Sequence, residues 1–268
     1  MIQKELDQFF TTEKTAKECL GVLQLHLDIK NVSWIEPSAG AGMFIKTAKE
    51  FGFSKCSAAY DLMPQYEEVE TQDFLKTDLS VVFKESTTKL CLGNPPFGKK
   101  GSLAVKFFNH AAKSCDVIAM IFPATFAKES VKKQLHKSFH LVEEVYLGVT
   151  PFDFVSEKRM VTVVFQIWKK LEIDRVDKKE KLKSEYFDFV TKEEADFAIQ
   201  RVGMAAGKVK VDFERFAKAS HYFIKTKAQN VREVFEKIDW TNIKNKTAGN
   251  PSIAKTELIA EFEKKMKS

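Results

Sequence analysis

Three short stretches hold residue types whose spacing suits chemistry. In Ile35-Glu36-Pro37-Ser38-Ala39-Gly40-Ala41-Gly42, an apolar run ends in an acid and a proline, then opens through two glycines into a helical pattern. Glycines at such a turn let the backbone bend sharply and approach a ligand closely. The carboxyl ends of strands are where open α/β sheets bind ligands. A plain strand-to-helix turn is the other use of such a stretch. The spacing is not the phosphate-cradling G-x-G-x-x-G, and no G-K-[ST] follows, which excludes a P-loop. About 20 residues further on, Asp61 closes the next apolar run, where a carboxylate can accept both hydroxyls of a ribose. In Thr71-Gln72-Asp73-Phe74, Asp73 can accept from an adenine amino group while the Phe74 ring packs on the base. Turn and helix caps are the alternative roles of both aspartates.

The third stretch, Lys89-Leu90-Cys91-Leu92-Gly93-Asn94-Pro95-Pro96-Phe97-Gly98-Lys99-Lys100, is the most distinctive. An apolar strand runs into two prolines, each with a fixed φ and no N–H to donate. The residue preceding each proline is turned away from helix as well. The result is a stiff, extended elbow with an amide side chain at its mouth and an aromatic ring beyond. Lys99 and Lys100 follow it as candidate phosphate contacts, or as ordinary solvated loop residues.

The elements around these stretches alternate. Helical spacing covers 13–28, 42–52, 102–114 and 128–139. Short apolar runs at 32–36, 56–61, 89–93 and 116–122 read as strands, the last as one buried on both faces. Two more strands, 140–148 and 159–168, are joined by a loop alone, which implies one antiparallel strand at or near an edge. The charge-rich segment 169–183 reads as a linker. Beyond it, helices are expected at 191–203, 230–238 and 255–267, with short strands in Lys208–Phe216 and Ser220–Thr226. The chain therefore divides into an α/β domain, 1–172, and a small α/β unit, 173–268.

At 268 residues, with 44% hydrophobic and 30% charged residues, the composition is that of a globular protein. The net charge of +6 is uneven: residues 1–168 carry 20 basic and 20 acidic residues, the remainder 23 and 17. A basic second part suits an anionic partner, although a lysine-rich solvated surface would look the same. Arg201, Lys208, Lys210 and Lys225 are its candidate phosphate contacts. Cys19, Cys56, Cys91 and Cys115 are scattered without a C-x-x-C pair, and the five histidines form no metal spacing. No metal site is expected. Free thiols, with no apolar leader or membrane-length run, indicate a reducing compartment, cytoplasmic or nuclear, and no membrane partner.

Glu36-Pro37-x-x-Gly40-x-Gly42 and Asn94-Pro95-Pro96-Phe97 together resemble the motifs of S-adenosylmethionine (SAM)-dependent adenine-N6 methyltransferases. Asp7–Leu20 resembles the segment these enzymes place beside the methionine end of SAM. It precedes the glycine turn, as in the gamma-class order. The resemblance, over roughly residues 7–168, implies a Rossmann-like fold with a mostly parallel seven-stranded sheet and one antiparallel strand near its edge. It implies SAM as cofactor, held by Phe10, Thr11, Glu36, Ser38, Gly40, Gly42, Asp61, Asp73 and Phe74. Catalysis would fall to Asn94, Pro95, Pro96 and Phe97. The Asn94 side-chain oxygen and the Pro95 carbonyl would accept the two amine hydrogens, aiming the nitrogen lone pair at the methyl group, while a flipped base stacks on Phe97. Phe152 or Phe154 would supply a second face and Lys99 and Lys100 phosphate contacts. Many DNA enzymes of this group have Tyr where this chain has Phe97, and related RNA enzymes have Phe. Nucleic acid is the expected substrate, DNA before RNA. The alternatives are a protein glutamine methyltransferase and a catalytically silent nucleic-acid-binding subunit.

Overall fold

The computed structural model describes residues 11–83, 88–152, 159–247 and 249–267, with backbone alone for 149–152, 159 and 160. Two compact units divide the chain, residues 1–177 and 178–268.

The first unit is built on a seven-stranded sheet. Its strands are β1 (Val32–Glu36), β2 (Ala58–Asp61), β3 (Glu70–Thr71), β4 (Thr88–Gly93), β5 (Val117–Pro123), β6 (Phe139–Phe152) and β7 (Arg159–Lys170), in the order β3-β2-β1-β4-β5-β7-β6. β1 pairs in parallel with β2 and β4, and β5 with β4, whereas β7 runs antiparallel to both β5 and β6. One reversed strand, second from an edge, thus completes an otherwise parallel sheet, the Rossmann-like arrangement expected from the sequence. Every residue of β1 and β5 is buried, because helices and sheet leave neither face to water. The helices are α1 (Glu13–Leu23), α2 (Met43–Glu50), α3 (Ser102–Ala111) and the short α4 (Glu129–Lys132). Thr12 caps α1, its side chain accepting from the Thr15 N–H. α1 buries Ala16, Cys19, Leu20 and Leu23, one stripe at helical spacing.

The second unit has a four-stranded antiparallel sheet, β10-β9-β11-β8, formed by β8 (Phe187–Phe189), β9 (Phe197–Gln200), β10 (Val209–Lys210) and β11 (His221–Thr226). Helices α5 (Val231–Glu236), α6 (Thr241–Lys244) and α7 (Lys255–Met266) follow. Phe187, Phe197, Ile199, Tyr222 and Ile224 share a core with Val231, Phe235, Leu258, Ile259 and Phe262 of α5 and α7. A smaller cluster, Ala198, Phe213 and Phe223, packs separately.

Two expected helices differ. The one at 128–139 stops at Lys132: the Arg175 guanidinium donates to the carbonyls of Lys132, Leu135, His136 and Phe139, three of which lie beyond the point where the helix stops. The one at 191–203 is a single turn followed by β9. Thr191 N–H does donate to the Glu194 carboxylate, one half of a capping box, but Thr191 Oγ1 donates to the same carboxylate and the other half is not made among the described residues. Asp196, however, accepts from the Thr226 N–H and Oγ1 on β11, and Phe197 and Ile199 alternate with Ala198 across the sheet.

Candidate active site

The site lies where the strand order reverses, at the carboxyl ends of β1, β2 and β4. Past Glu36, the chain turns through Pro37 to Gly42 and enters α2. Gly40 and Gly42 have φ of +48° and +69°. A Cβ at Gly42 would lie 2.3 Å from the Tyr66 ring, so only glycine fits. Past Gly93, Asn94-Pro95-Pro96 leads to a left-handed Lys100 and then α3. A Cβ at Gly93 would sit 3.1 Å from Pro37 Cδ, so this glycine lets the two strand ends approach.

Three side chains tie these ends together. The Ser38 hydroxyl donates to the Asn94 backbone carbonyl at 2.8 Å, joining the glycine turn to the elbow. Asn94 Nδ2 donates to Thr11 Oγ1 at 3.2 Å, which fixes the amide plane from the segment leading into α1. The Asp61 carboxylate accepts from the Gly40 N–H and the Met63 N–H, both at 2.8 Å. Asp61 therefore braces the glycine turn as well as facing the cavity. Asp73 caps its own turn, accepting from the Leu75 N–H at 3.1 Å, and pairs with Lys76.

Together they enclose a cavity of ≈ 270 Å³. Of the expected residues, Thr11, Glu36, Ser38, Gly40, Asp61, Asp73, Phe74, Asn94 and Pro96 line it. Gly42 shapes the turn without lining it, the space on its α-carbon being filled by Tyr66. Leu62, Gln72, Leu75, Leu103 and Phe107 also line it and were missed by the sequence reading. Leu103 and Phe107 stand one turn apart in a helix that the sequence does indicate, a signal that could have found them. Phe107 stacks on Phe74, ring centroids 5.2 Å apart.

Glu36 is the unusual group here. It is 3% exposed, and its Oε2 is buried with no hydrogen-bond partner among the described residues. Burial, with the Asp61 carboxylate adding to it, holds the Glu36 carboxyl well above the ordinary range, while the Ile45 backbone amide works against this.

Phe97 is 5% exposed and belongs to the core. Its carbonyl accepts from the N–H groups of Leu103 and Ala104, which draws the residue down onto the start of α3. A stacking role has only the small exposed part of the ring to work with. Lys99 and Lys100 are exposed just beyond. Phe10 and Phe154 lie outside the described residues, and of Phe152 only the backbone at the end of β6 is described. Among the described residues no cluster of His, Cys, Asp or Glu is placed to hold a metal ion, and no helix is long and apolar enough to cross a membrane.

No protein-family model matches the chain, and no curated protein matches its sequence. Solved structures do resemble it. A candidate RNA methyltransferase from Pyrococcus horikoshii is 17% identical, over 63% of this chain and 89% of that one, with a TM-score of 0.47. The modification subunit of a candidate type I restriction enzyme from Vibrio vulnificus is 15% identical, over 61% and 44%, with a TM-score of 0.45. The M protein of the type I restriction enzyme EcoKI is 16% identical, over 64% and 46%, with a TM-score of 0.44. This chain thus spans under half the length of either restriction-enzyme subunit. At these identities and TM-scores the likenesses assign no activity.

Proposed function

We propose that this chain transfers a methyl group from SAM to the exocyclic N6 amine of adenine in nucleic acid. The observation that carries this reading is a single cavity lined both by the glycine turn with its carboxylates and by Asn94 and Pro96 of the elbow, Pro95 standing between them outside the lining. The residues fit the cofactor. Glu36 Oε2 is a buried oxygen with no hydrogen-bond partner among the described residues, and SAM carries an ammonium group and hydroxyls. Asp61 and Asp73 add acceptors, and Phe74, Leu75 and Phe107 add apolar surface suited to a purine. SAM, when bound, supplies a methyl group activated by a positively charged sulfur.

The elbow supplies the rest. A purine's exocyclic amine is planar through conjugation and a poor nucleophile. The Asn94 side-chain oxygen and the Pro95 carbonyl accept its two hydrogens and favour a pyramidal nitrogen with its lone pair free to attack. The prolines, Ser38 and Thr11 hold the Asn94 segment still before substrate arrives, so the gain is electrostatic preorganisation. No strong base is required, because the proton can leave after transfer. DNA is placed before RNA on the motif order, while Phe97 in place of Tyr favours RNA.

The test is transfer from methyl-labelled SAM to DNA, RNA and protein pools. Label in N6-methyladenine is expected. Asn94→Ala should cut turnover by about 10²–10³ while SAM affinity stays within a few-fold. Label on protein glutamine, or full turnover by Asn94→Ala, would refute the reading.

A further inference from the structure

We infer that one edge of the second unit, made by residues 201–211 and 240–256, binds the phosphate backbone of the nucleic-acid substrate. The partner's identity rests on the function proposed above; the location rests on the distribution of charge and on the backbone contacts that join the two segments. Residues 201–211 contain Arg201, Lys208 and Lys210 and no Asp or Glu. Residues 240–256 contain Lys244, Lys246 and Lys255, and again no Asp or Glu. The fold brings these two acid-free segments together. Gly203 N–H donates to the Pro251 carbonyl at 2.8 Å, and Ile253 N–H to the Arg201 carbonyl at 2.9 Å. Val202 bridges Ser252, and Lys244 Nζ donates to the Met204 carbonyl at 2.8 Å. Gly207, at φ +95°, lies against the Trp240 ring, where a Cβ would come within 2.2 Å.

None of the six cations forms an ion pair among the described residues. Arg201 and Lys255 flank one ring instead, the guanidinium 5.1 Å and the ammonium 6.0 Å from the centre of Tyr222. Lys210 stands 5.9 Å from the Phe216 ring. Such contacts hold a cation without neutralising it. Arg201 Nε is in addition a buried donor with no partner among the described residues. The carboxylates bounding the second segment are engaged with backbone: Asp239 accepts from the Thr241 N–H, and Glu257 from the Ala254 N–H. Elsewhere in the unit the pattern differs. Lys181, Lys225, Lys227 and Lys264 are each paired with a carboxylate. Lys225, a phosphate candidate from sequence, is thereby withdrawn in favour of Lys244, Lys246 and Lys255. Cations without an ion-pair partner among the described residues, on two joined segments that themselves contain no acid, are complementary to a polyanion, although Asp239 at the border lies within electrostatic reach of Lys244.

The experiment compares two fourfold variants of the full chain: Lys208→Gln/Lys210→Gln/Lys244→Gln/Lys246→Gln at the edge, and Lys181→Gln/Lys225→Gln/Lys227→Gln/Lys264→Gln among the paired lysines. Both remove the same charge. Binding to a short DNA duplex, a single-stranded RNA and phosphatidylserine vesicles is measured across a salt series, with circular dichroism and thermal unfolding of the full chain as the check on folding. The edge variant should flatten the log–log salt slope by about 0.9 for each lost duplex contact, or about 0.7 on a single strand. The paired-lysine variant should leave it nearly unchanged. If the edge variant does not fold, Lys208→Gln alone, at an exposed position, should still flatten the slope by about 0.9 on a duplex. Equal slopes in both variants, or an edge acting on vesicles and not on nucleic acid, overturn the inference. A wild type that methylates adenine while the edge variant keeps its slope overturns this inference alone. A wild type that binds no nucleic acid overturns the proposed function as well.

Discussion

Replacing Glu36 by Gln should stabilise the free protein and weaken cofactor binding, two effects of opposite sign from one side chain. The residue is 3% exposed, one of its carboxyl oxygens has no partner among the described residues, and burial beside Asp61 raises its pKa. A raised carboxyl keeps its proton in the folded chain over a pH range where the unfolded chain has lost it. Wild-type stability therefore falls as pH rises through that range. Gln has no proton to lose and keeps an oxygen for the Ile45 amide. Wild type and variant should match most closely in acid, below the ordinary carboxylate pKa, and the variant should gain on wild type as pH rises. Cofactor binding should respond the other way. A hydrogen bond to a charged group contributes about 1.5–3 kcal/mol, and a neutral acceptor retains roughly half of that. The loss of about 0.8–1.5 kcal/mol corresponds to roughly four- to twelvefold in SAM affinity. Calorimetric titration and thermal unfolding across pH would read both. A Glu36→Gln protein with unchanged affinity and lower stability at every pH would show that Glu36 is a core group and not a cofactor ligand.

Ser38→Ala removes the bond joining the glycine turn to the elbow, worth about 0.5–1.5 kcal/mol. Turnover should fall by up to about tenfold with SAM affinity and thermal midpoint little changed; an unaltered kcat would mean the elbow is held without it. Phe97→Ala should destabilise the fold by about 3–5 kcal/mol because the ring is buried. Phe97→Leu should keep most of that stability, so a fall in its KM-dependent rate on nucleic acid, measured after denaturant titration, would isolate any stacking contribution.

The parallel core was legible because its strands are short apolar runs ending in punctuation: Glu36-Pro37, Asp61 and Gly93-Asn94-Pro95 each close a strand at the site edge. The motif residues that line the cavity stood out for the same reason, since local backbone constraint marks them. What was hidden depends on distant partners. Val131, Leu135 and Phe139 have helical spacing, yet Arg175 takes carbonyls around them from 36 or more residues away. Nothing within 191–203 announces that Asp196 will be claimed by Thr226. Local spacing also gives no warning that Phe97 is buried or that Asp61 supports Gly40. Charge counting found the basic second unit, but only the fold shows which lysines have already met a carboxylate.

The β6–β7 pairing has a consequence for how this chain tolerates change in length. β5 ends at Pro123, opposite Val163, but β6 and β7 stay paired for four more rungs, from Val149↔Thr162 to Phe152↔Arg159. A two-stranded ribbon therefore extends about 13 Å past the carboxyl edge of the sheet. Among the described residues no third strand pairs with these rungs. Successive residues of a strand point to opposite faces, so losing or gaining one residue on each strand turns the ribbon's tip over, and two on each restores it. Insertions and deletions between Val149 and Thr162 should accordingly be accepted in steps of two per strand. Relatives of this protein would then differ in the reach of this ribbon in steps of two residues per strand.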